Sequence, residues 1–507
     1  MSYVGPSTSS PQPTERIGQT TTSGNAQPQS PHTTSIHILD DDSLLNIFYL
    51  YRPIFLGEDD DENARLKGGK RPWVGECWWY KLAHVCQRWR NLIFGLASYL
   101  GLFLVCTKGM PVTEMLAHSP SLPLVVDYSE KYYGMTVEDE EGTILALRQR
   151  DRVRRIRLDM SVGNLQKLVV AIEQEYSMLE YLIVWHLTIL DEMTILALPE
   201  TLEAPRLRHL VLVGFNLPIG SQLFTTSVRL VTLYLVMESP STYFHPNTLL
   251  QWLSFMPQLE VLMISFLLAV PNQDAERQLT HPPVMTPVTL PNFRFFWFQG
   301  HSSYIEALVH RITPCPEKLQ FYFSNEITFS LPRLVQFINT AENLKFDSVK
   351  FKFFEWQVSM AVYPCGEAEM CGLSMTVGDW DVDWQASTIT QIFNSFSQIF
   401  SAVERLALEL VVEDSRSFEE YEHNGSDRVE WHRLFSWFRN VKSLRIDNVF
   451  VKGVSRCLEL DDGEPSLGLL PELQELAYSR SSKTGDAFTS FIDARQKAGR
   501  PVALTRY

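Results

Sequence analysis

Apolar positions along the chain follow two periods, and stretches of the two kinds alternate. From about residue 102 onward, short runs of alternating or template-spaced apolar residues trade places with longer runs at three-to-four spacing. The first kind predicts strands and the second predicts helices. Residues 102–106, 122–128 and 154–160 read as strands, and 111–118 and 138–150 as helices. Pro111 opens the first of these helices, where a missing N–H costs least. Many strands share one template: an apolar residue, two others, an apolar residue, one other, an apolar residue. Leu179, Leu182 and Val184 fit it, as do Leu207, Leu210 and Leu212. So do Leu230, Leu233, Leu235; Leu259, Leu262, Ile264; and Phe293, Phe296, Phe298. Later copies are Val403, Leu406, Leu408; Val441, Leu444, Ile446; and Leu473, Leu476, Tyr478. Pro-x-Leu precedes several of them, at Pro205, Pro257 and Pro471. Helical stretches fall between the strands, at 162–176, 247–255, 303–312, 331–341, 388–400, 428–438 and 484–497.

One strand and one helix cannot bury an apolar side alone. Neighbouring copies must stack, so the strands are expected to form a continuous parallel sheet with the helices outside it. The first template positions lie about 23 to 38 residues apart, a spacing that overlaps the leucine-rich-repeat range. An ordinary α/β domain with a twisted sheet shares this alternation and is the competing architecture. Residues 346–384 break the rhythm. Phe346, Phe351, Phe353, Phe354 and Trp356 lead into extended runs at 372–377 and 378–384. Two or three strands with no helix between them would explain this stretch.

Ahead of the strand-helix region, residues 36–100 carry two short amphipathic helices separated by a charged insert. The first opens on Asp40, Asp41 and Asp42, which suit a cap and the positive end of the helix dipole. Leu44, Phe48 and Tyr51 follow at helical spacing with Leu45 beside them, and Pro53 stops the helix. The second helix is expected to carry Trp78, Leu82, Val85, Cys86, Trp89 and Ile93 on one broad face. Two helices this short cannot bury so much aromatic surface between themselves. The insert at 57–75 runs acidic, then basic, and reads as a loop.

The segments Ile38-Leu39, Leu44-Leu45-Asn46-Ile47-Phe48 and Leu82-Ala83-His84-Val85-Cys86-Gln87-Arg88-Trp89-Arg90 together resemble an F-box. The Val-Cys-Gln-Arg-Trp-Arg run is the most specific part. Asp40 stands where that motif commonly has proline, and the insert is a second departure. The repeats after residue 101 resemble a degenerate form of the leucine-rich repeats found C-terminal to F-boxes. The asparagine of that repeat is largely missing, with Phe215 and Val449 in its place in two copies.

The resemblance implies an α+β or α/β solenoid, a small helical F-box followed by an irregular leucine-rich-repeat-like stack. It implies docking to the adaptor subunit of an SCF-type, cullin-RING ubiquitin ligase, and through it to cullin. Leu39, Leu44, Leu45, Phe48, Leu82, Val85 and Trp89 match the motif position by position and would contact the adaptor. The repeats would hold an unidentified target protein, and the chain would perform no chemistry itself. A repeat scaffold with an F-box-like segment but no ligase role is the alternative. Without the resemblance, the two helices would be read as a cap on the core that follows.

Composition narrows the picture. The chain has 507 residues, 45% hydrophobic and 20% charged, an ordinary globular balance. A net charge of -15 argues against a nucleic-acid-binding surface. Seven cysteines without a CxxC pair fit a reducing compartment, cytoplasmic or nuclear, and no structural zinc. Residues 1–35 are rich in Ser, Thr, Pro and Gln and are expected to be disordered, with no secretory signal. The most membrane-like run, 92–106, is too short to span a bilayer, so no membrane partner is expected.

Candidate chemistry is sparse, and no cofactor or metal is expected. The Asp-x-Asp in Asp379-Trp380-Asp381-Val382-Asp383-Trp384 would chelate a divalent cation in a glycosyltransferase. A strand alternating aspartate outward with Trp and Val inward gives the same pattern. Asn424-Gly425-Ser426 matches a glycosylation acceptor but reads as a turn in an acidic loop. Cys365 and Cys371 have no histidine placed near them by the sequence and read as inert. Trp73, Trp78 and Trp79 form an aromatic cluster suited to a core or an adaptor contact.

Overall fold

The computed structural model describes residues 38–51, 78–129, 134–187, 196–218, 220–267, 286–324, 331–341, 346–354, 357–364, 371–378, 390, 394–411, 428–459, 468–479 and 487–507. The expectations for the N-terminal tail, the charged insert, the Asp379–Trp384 run, the Asn424 turn, Cys365 and Trp73 fall outside these residues.

Among the described residues three helices come first: α1 (Asp41–Tyr51), α2 (Trp78–Ala83) and α3 (Gln87–Gly95). A single sixteen-stranded sheet follows. Its first half is β1 (Leu104–Thr107), β2 (Leu124–Ser129), β3 (Val153–Ser161), β4 (Tyr181–Leu187), β5 (His209–Val213), β6 (Thr232–Met237), β7 (Val261–Phe266) and β8 (Phe295–Gly300). The second half is β9 (Lys318–Ser324), β10 (Phe346–Phe353), β11 (Gln357–Pro364), β12 (Leu373–Gly378), β13 (Arg405–Leu410), β14 (Ser443–Ile446), β15 (Glu475–Tyr478) and β16 (Ala503–Arg506). Spatial order follows chain order from β1 to β9, then runs β12-β11-β10, then resumes from β13 to β16. The sheet is open and mostly parallel, and the fold is α+β.

The recurring template explains the sheet. Its second and third apolar positions fall on the strand and line up across it. Ile156, Leu182, Leu210, Leu233, Leu262 and Phe296 occupy one continuous row. The row continues through Leu406, Leu444 and Leu476, all of them buried. A second row runs Leu158, Val184, Leu212, Leu235, Ile264 and Phe298. The first template position, such as Leu207 or Leu230, lies just before its strand and is also fully buried. Right-handed connections between sequential parallel strands carry every crossover to one side, so the helices share the face that these rows present. Buried residues from Leu44 to Val502 form one connected core.

Several elements differ from the sequence reading. The sheet is not parallel throughout. β11 is antiparallel to both β10 and β12, so 346–378 is a three-stranded meander set inside the sheet. Two or three strands were expected here and three are described, but β11 falls where no extended run was expected, and the run expected over 379–384 lies outside the described residues. The helix expected over 162–176 ends at Val169. Beyond it Gln174 adopts a φ of 71°, and the Tyr176 hydroxyl donates to the Leu147 and Ala171 carbonyls. A helix at Asn448–Leu458, absent from the sequence reading, packs Phe450, Val451 and Val454 inward.

Among the polar groups buried within the described residues, His186 lies on the helix side of the sheet. His186, next after Trp185 in β4, lies beneath Gly214, and its Nε2 stands 3.2 Å from Glu238 Oε2. Burial holds this imidazole below its ordinary value of 6.5, with Glu238 partly opposing the shift. A base held low in the folded state takes up its proton more readily once unfolded. Stability should therefore be fullest above about pH 6.5 and decline as pH falls below it. Urea titrations between pH 7.5 and 5.5 should show this slope, and His186→Asn should flatten it. His310, lowered by burial and by Arg333, will retain a slope of the same sign. An unchanged slope in His186→Asn would sink the assignment.

Candidate functional site

The first site is built by the three N-terminal helices. Asp40 Oδ1 accepts from the Ser43 N–H at 2.7 Å and caps α1, and that bond holds its carboxyl below the usual range. Leu44 and Phe48, one turn apart, are fully buried. The Phe48 ring meets Trp89 of α3 edge-on at 4.9 Å. The Arg88 guanidinium donates to Asp41 Oδ1 and to the Leu39 carbonyl, tying α3 to the start of α1. This pair is half exposed, so it orients the helices more than it stabilises them.

The single second helix expected from the sequence is in fact two. A turn at His84 and Val85 ends α2, and Cys86 is extended, with φ -158° and ψ 168°, before α3 begins. The Arg90 Nε donates to the Ala83 carbonyl across the break. Consequently the six residues expected on one face separate. Trp78, Trp89 and Ile93 turn inward, whereas Val85 is pushed out to 55% exposure. The Trp79 indole N–H donates to the Phe103 carbonyl just ahead of β1, and its ring packs edge-on against Phe94. The helical unit is thereby fastened to the first strand of the sheet.

Of the seven residues matched to the motif, Leu44, Phe48 and Trp89 lie in the chain's own core. Leu39, Leu45 and Leu82 are partly buried, and Val85 is exposed. The seven expected contacts leave out neighbours that are more exposed than any of them, Ile38, Leu50, Tyr51 and Tyr80. Leu50 is 81% exposed. The available signal was that α1 is apolar on nearly all sides, which a solvated surface helix is not. Nine of the nineteen large exposed apolar residues among the described ones fall between Ile38 and Tyr99. Exposed apolar side chains are therefore concentrated on α1 to α3 and the turn after them.

The second site is the face of the sheet opposite the helices. There β4 to β8 place Tyr181, His209, Thr232, Val261 and Phe295 in one row. Ile183, Val211, Tyr234, Met263 and Trp297 form the next. Trp185, Val213, Val236, Ser265 and Gln299 form a third. None of these fifteen is Asp, Glu, Lys or Arg. Most of the first two rows are half-buried, Ile183 and much of the third row are buried, and Trp185 is 36% exposed. Tyr181 stacks on His209 at 4.6 Å and 6°, and the Arg155 guanidinium of β3 lies 4.9 Å over the Tyr181 ring. Tyr234 and Trp297 meet edge-on. Charged residues return on either side, Arg155, Arg157 and Asp159 on β3 and Lys318 on β9.

Among the described residues no group of three or more His, Cys, Asp or Glu side chains is placed to hold a metal ion. Burial pushes the Cys315 and Cys457 thiols up to about 12 and raises Cys371, so these three are poor nucleophiles. Among the described residues no helix is long and apolar enough to cross a membrane. No family model matches the chain, and no curated protein matches its sequence.

Proposed function

We propose that this chain is an F-box substrate-recognition subunit of an SCF-type, cullin-RING ubiquitin ligase, working in the cytoplasm or nucleus. The observation that carries the proposal is the exposed apolar surface of α1 to α3, borne by the segments that resemble an F-box. Leu44, Phe48 and Trp89 shape this surface from within. Leu39, Leu45, Leu82 and Val85, joined by Ile47 and Leu50, would meet the adaptor. The strand-helix units that follow would act as leucine-rich-repeat-like copies holding a target on the open face of the sheet. The Trp79 bond to the Phe103 carbonyl favours a stiff junction between the two ends. The chain would then contribute by proximity alone, bringing the target to the ubiquitin-loading enzyme.

Leu50→Asp tests the adaptor half. Leu50 is so exposed that the change should leave the fold and its melting temperature untouched. A carboxylate forced into a dry interface should cost about 3 kcal/mol, roughly a hundredfold in affinity. Co-purification of wild type and variant with the adaptor reads this directly. Wild type that captures no adaptor would remove the ligase reading and leave a non-enzymatic repeat scaffold.

A further inference from the structure

We infer that the uncharged band on the open face, across β4 to β8, binds a short extended peptide whose own contacting side chains are apolar or aromatic. The inference rests on the target-binding half of the proposed function and gives that target a chemistry. Three observations carry it. The first is composition: five adjacent strands present no fixed charge on this face, although the chain as a whole carries a net charge of -15. A charged partner residue would have to shed its water here without a counter-charge. The second is size. Five strands and two to three rows measure roughly 24 Å by 13 Å. That is well short of the about 800 Å² per partner that a stable folded complex or dimer requires. It matches the length of an extended chain of about seven residues. The third is the boundary. Arg155, stacked on Tyr181, closes the band on one side, and Lys318 closes it on the other.

These strands are interior to the sheet, so their backbone groups are already paired with neighbours. A bound peptide cannot join as another strand and must be read through side chains. In an extended peptide every second residue faces the same way. The sequences recognised should therefore carry large apolar or aromatic residues at alternate positions. Tyr234, Met263 and Trp297, in adjoining places of the middle row, would meet the central one.

The probe is a displayed library of random seven-residue peptides, selected against the purified full-length chain. Enrichment of uncharged sequences with apolar or aromatic residues at alternate positions is expected. The best sequence, synthesised with blocked ends, should bind one-to-one and be insensitive to salt. Met263→Arg should weaken it at least tenfold with the melting temperature preserved, because that side chain is half-exposed on the open face. Thr232→Lys, in the adjacent row, should do the same and covers the case in which Met263→Arg folds poorly. Four results would each overturn the inference. They are no enrichment over the Met263→Arg chain, enrichment of charged and salt-sensitive sequences, equal binding by both variants, and a wild-type dimer that Met263→Arg dissolves. The adaptor experiment is separate: its failure with peptide binding intact removes the ligase and leaves the band, and the converse leaves the ligase without this recognition site.

Discussion

Leu210→Asp is expected to leave no folded sheet. Leu210 is fully buried, with Leu182 and Leu233 as its register partners on either side. An aspartate there would be a carboxylate without a counter-charge in an apolar row. Even if it took up a proton, burying it unpaired should cost roughly 4 kcal/mol or more. That approaches the about 5–15 kcal/mol that holds a whole domain together. Each unit of the sheet leans on the next, so the loss would spread in both directions from β5. Far-UV dichroism and soluble yield are the measurements. Folded Leu210→Asp at normal yield would mean that the leucine row is not the core of the molecule.

Gly214→Ala should be almost as damaging, for a different reason. Gly214 follows β5 with a φ of 79°, a region that side chains with a Cβ rarely enter. Its N–H donates to the Val236 carbonyl, so the backbone is held in place from the neighbouring strand. A Cβ there would stand 1.5 Å from His186 Nε2 and 2.0 Å from Cδ2. The imidazole would be driven from its place beside Glu238 into a packed core, a loss of about 3 kcal/mol or more. The double variant His186→Ala, Gly214→Ala separates the two contributions. Removing the imidazole should relieve the collision and leave only the backbone strain, about 1 kcal/mol. Urea unfolding of the single and double variants makes the comparison. A double variant no more stable than Gly214→Ala alone would show that the collision is not the cause.

What the sequence disclosed and what it hid have physical causes. The leucine rows were legible because burial on a strand demands a fixed spacing, and Leu210, Leu233 and Leu262 keep it. The cap at Asp40 was legible because a carboxylate before an apolar run has few other uses. The break between α2 and α3 was hidden. His84, Val85 and Cys86 contain neither Gly nor Pro, and the Arg90 side-chain bond to the Ala83 carbonyl that spans the break leaves no mark in the apolar spacing. The division of the motif residues into buried Leu44, Phe48 and Trp89 and outward Val85 follows from that break. The direction of β11 was hidden as well, since a strand's own alternation does not say which way its neighbours run. The open-face band was visible as letters. His209 and Val211 sat in the unassigned places of the template and Val213 just past its end, and their importance appears only once the register aligns five strands.

The meander also bears on how the chain assembles in time. Only three residues separate β10 from β11, whereas parallel neighbours such as β5 and β6 must be joined through a full crossover. A hairpin closes in microseconds, while non-local pairings wait on the loss of loop entropy. β12 pairs onward to β9, and β10 pairs onward to β13. With β12 added to the hairpin, the meander sits between the two long parallel runs and offers each of them an edge. Ordering can propagate from the middle of the molecule toward both ends, instead of starting at α1 and proceeding strand by strand.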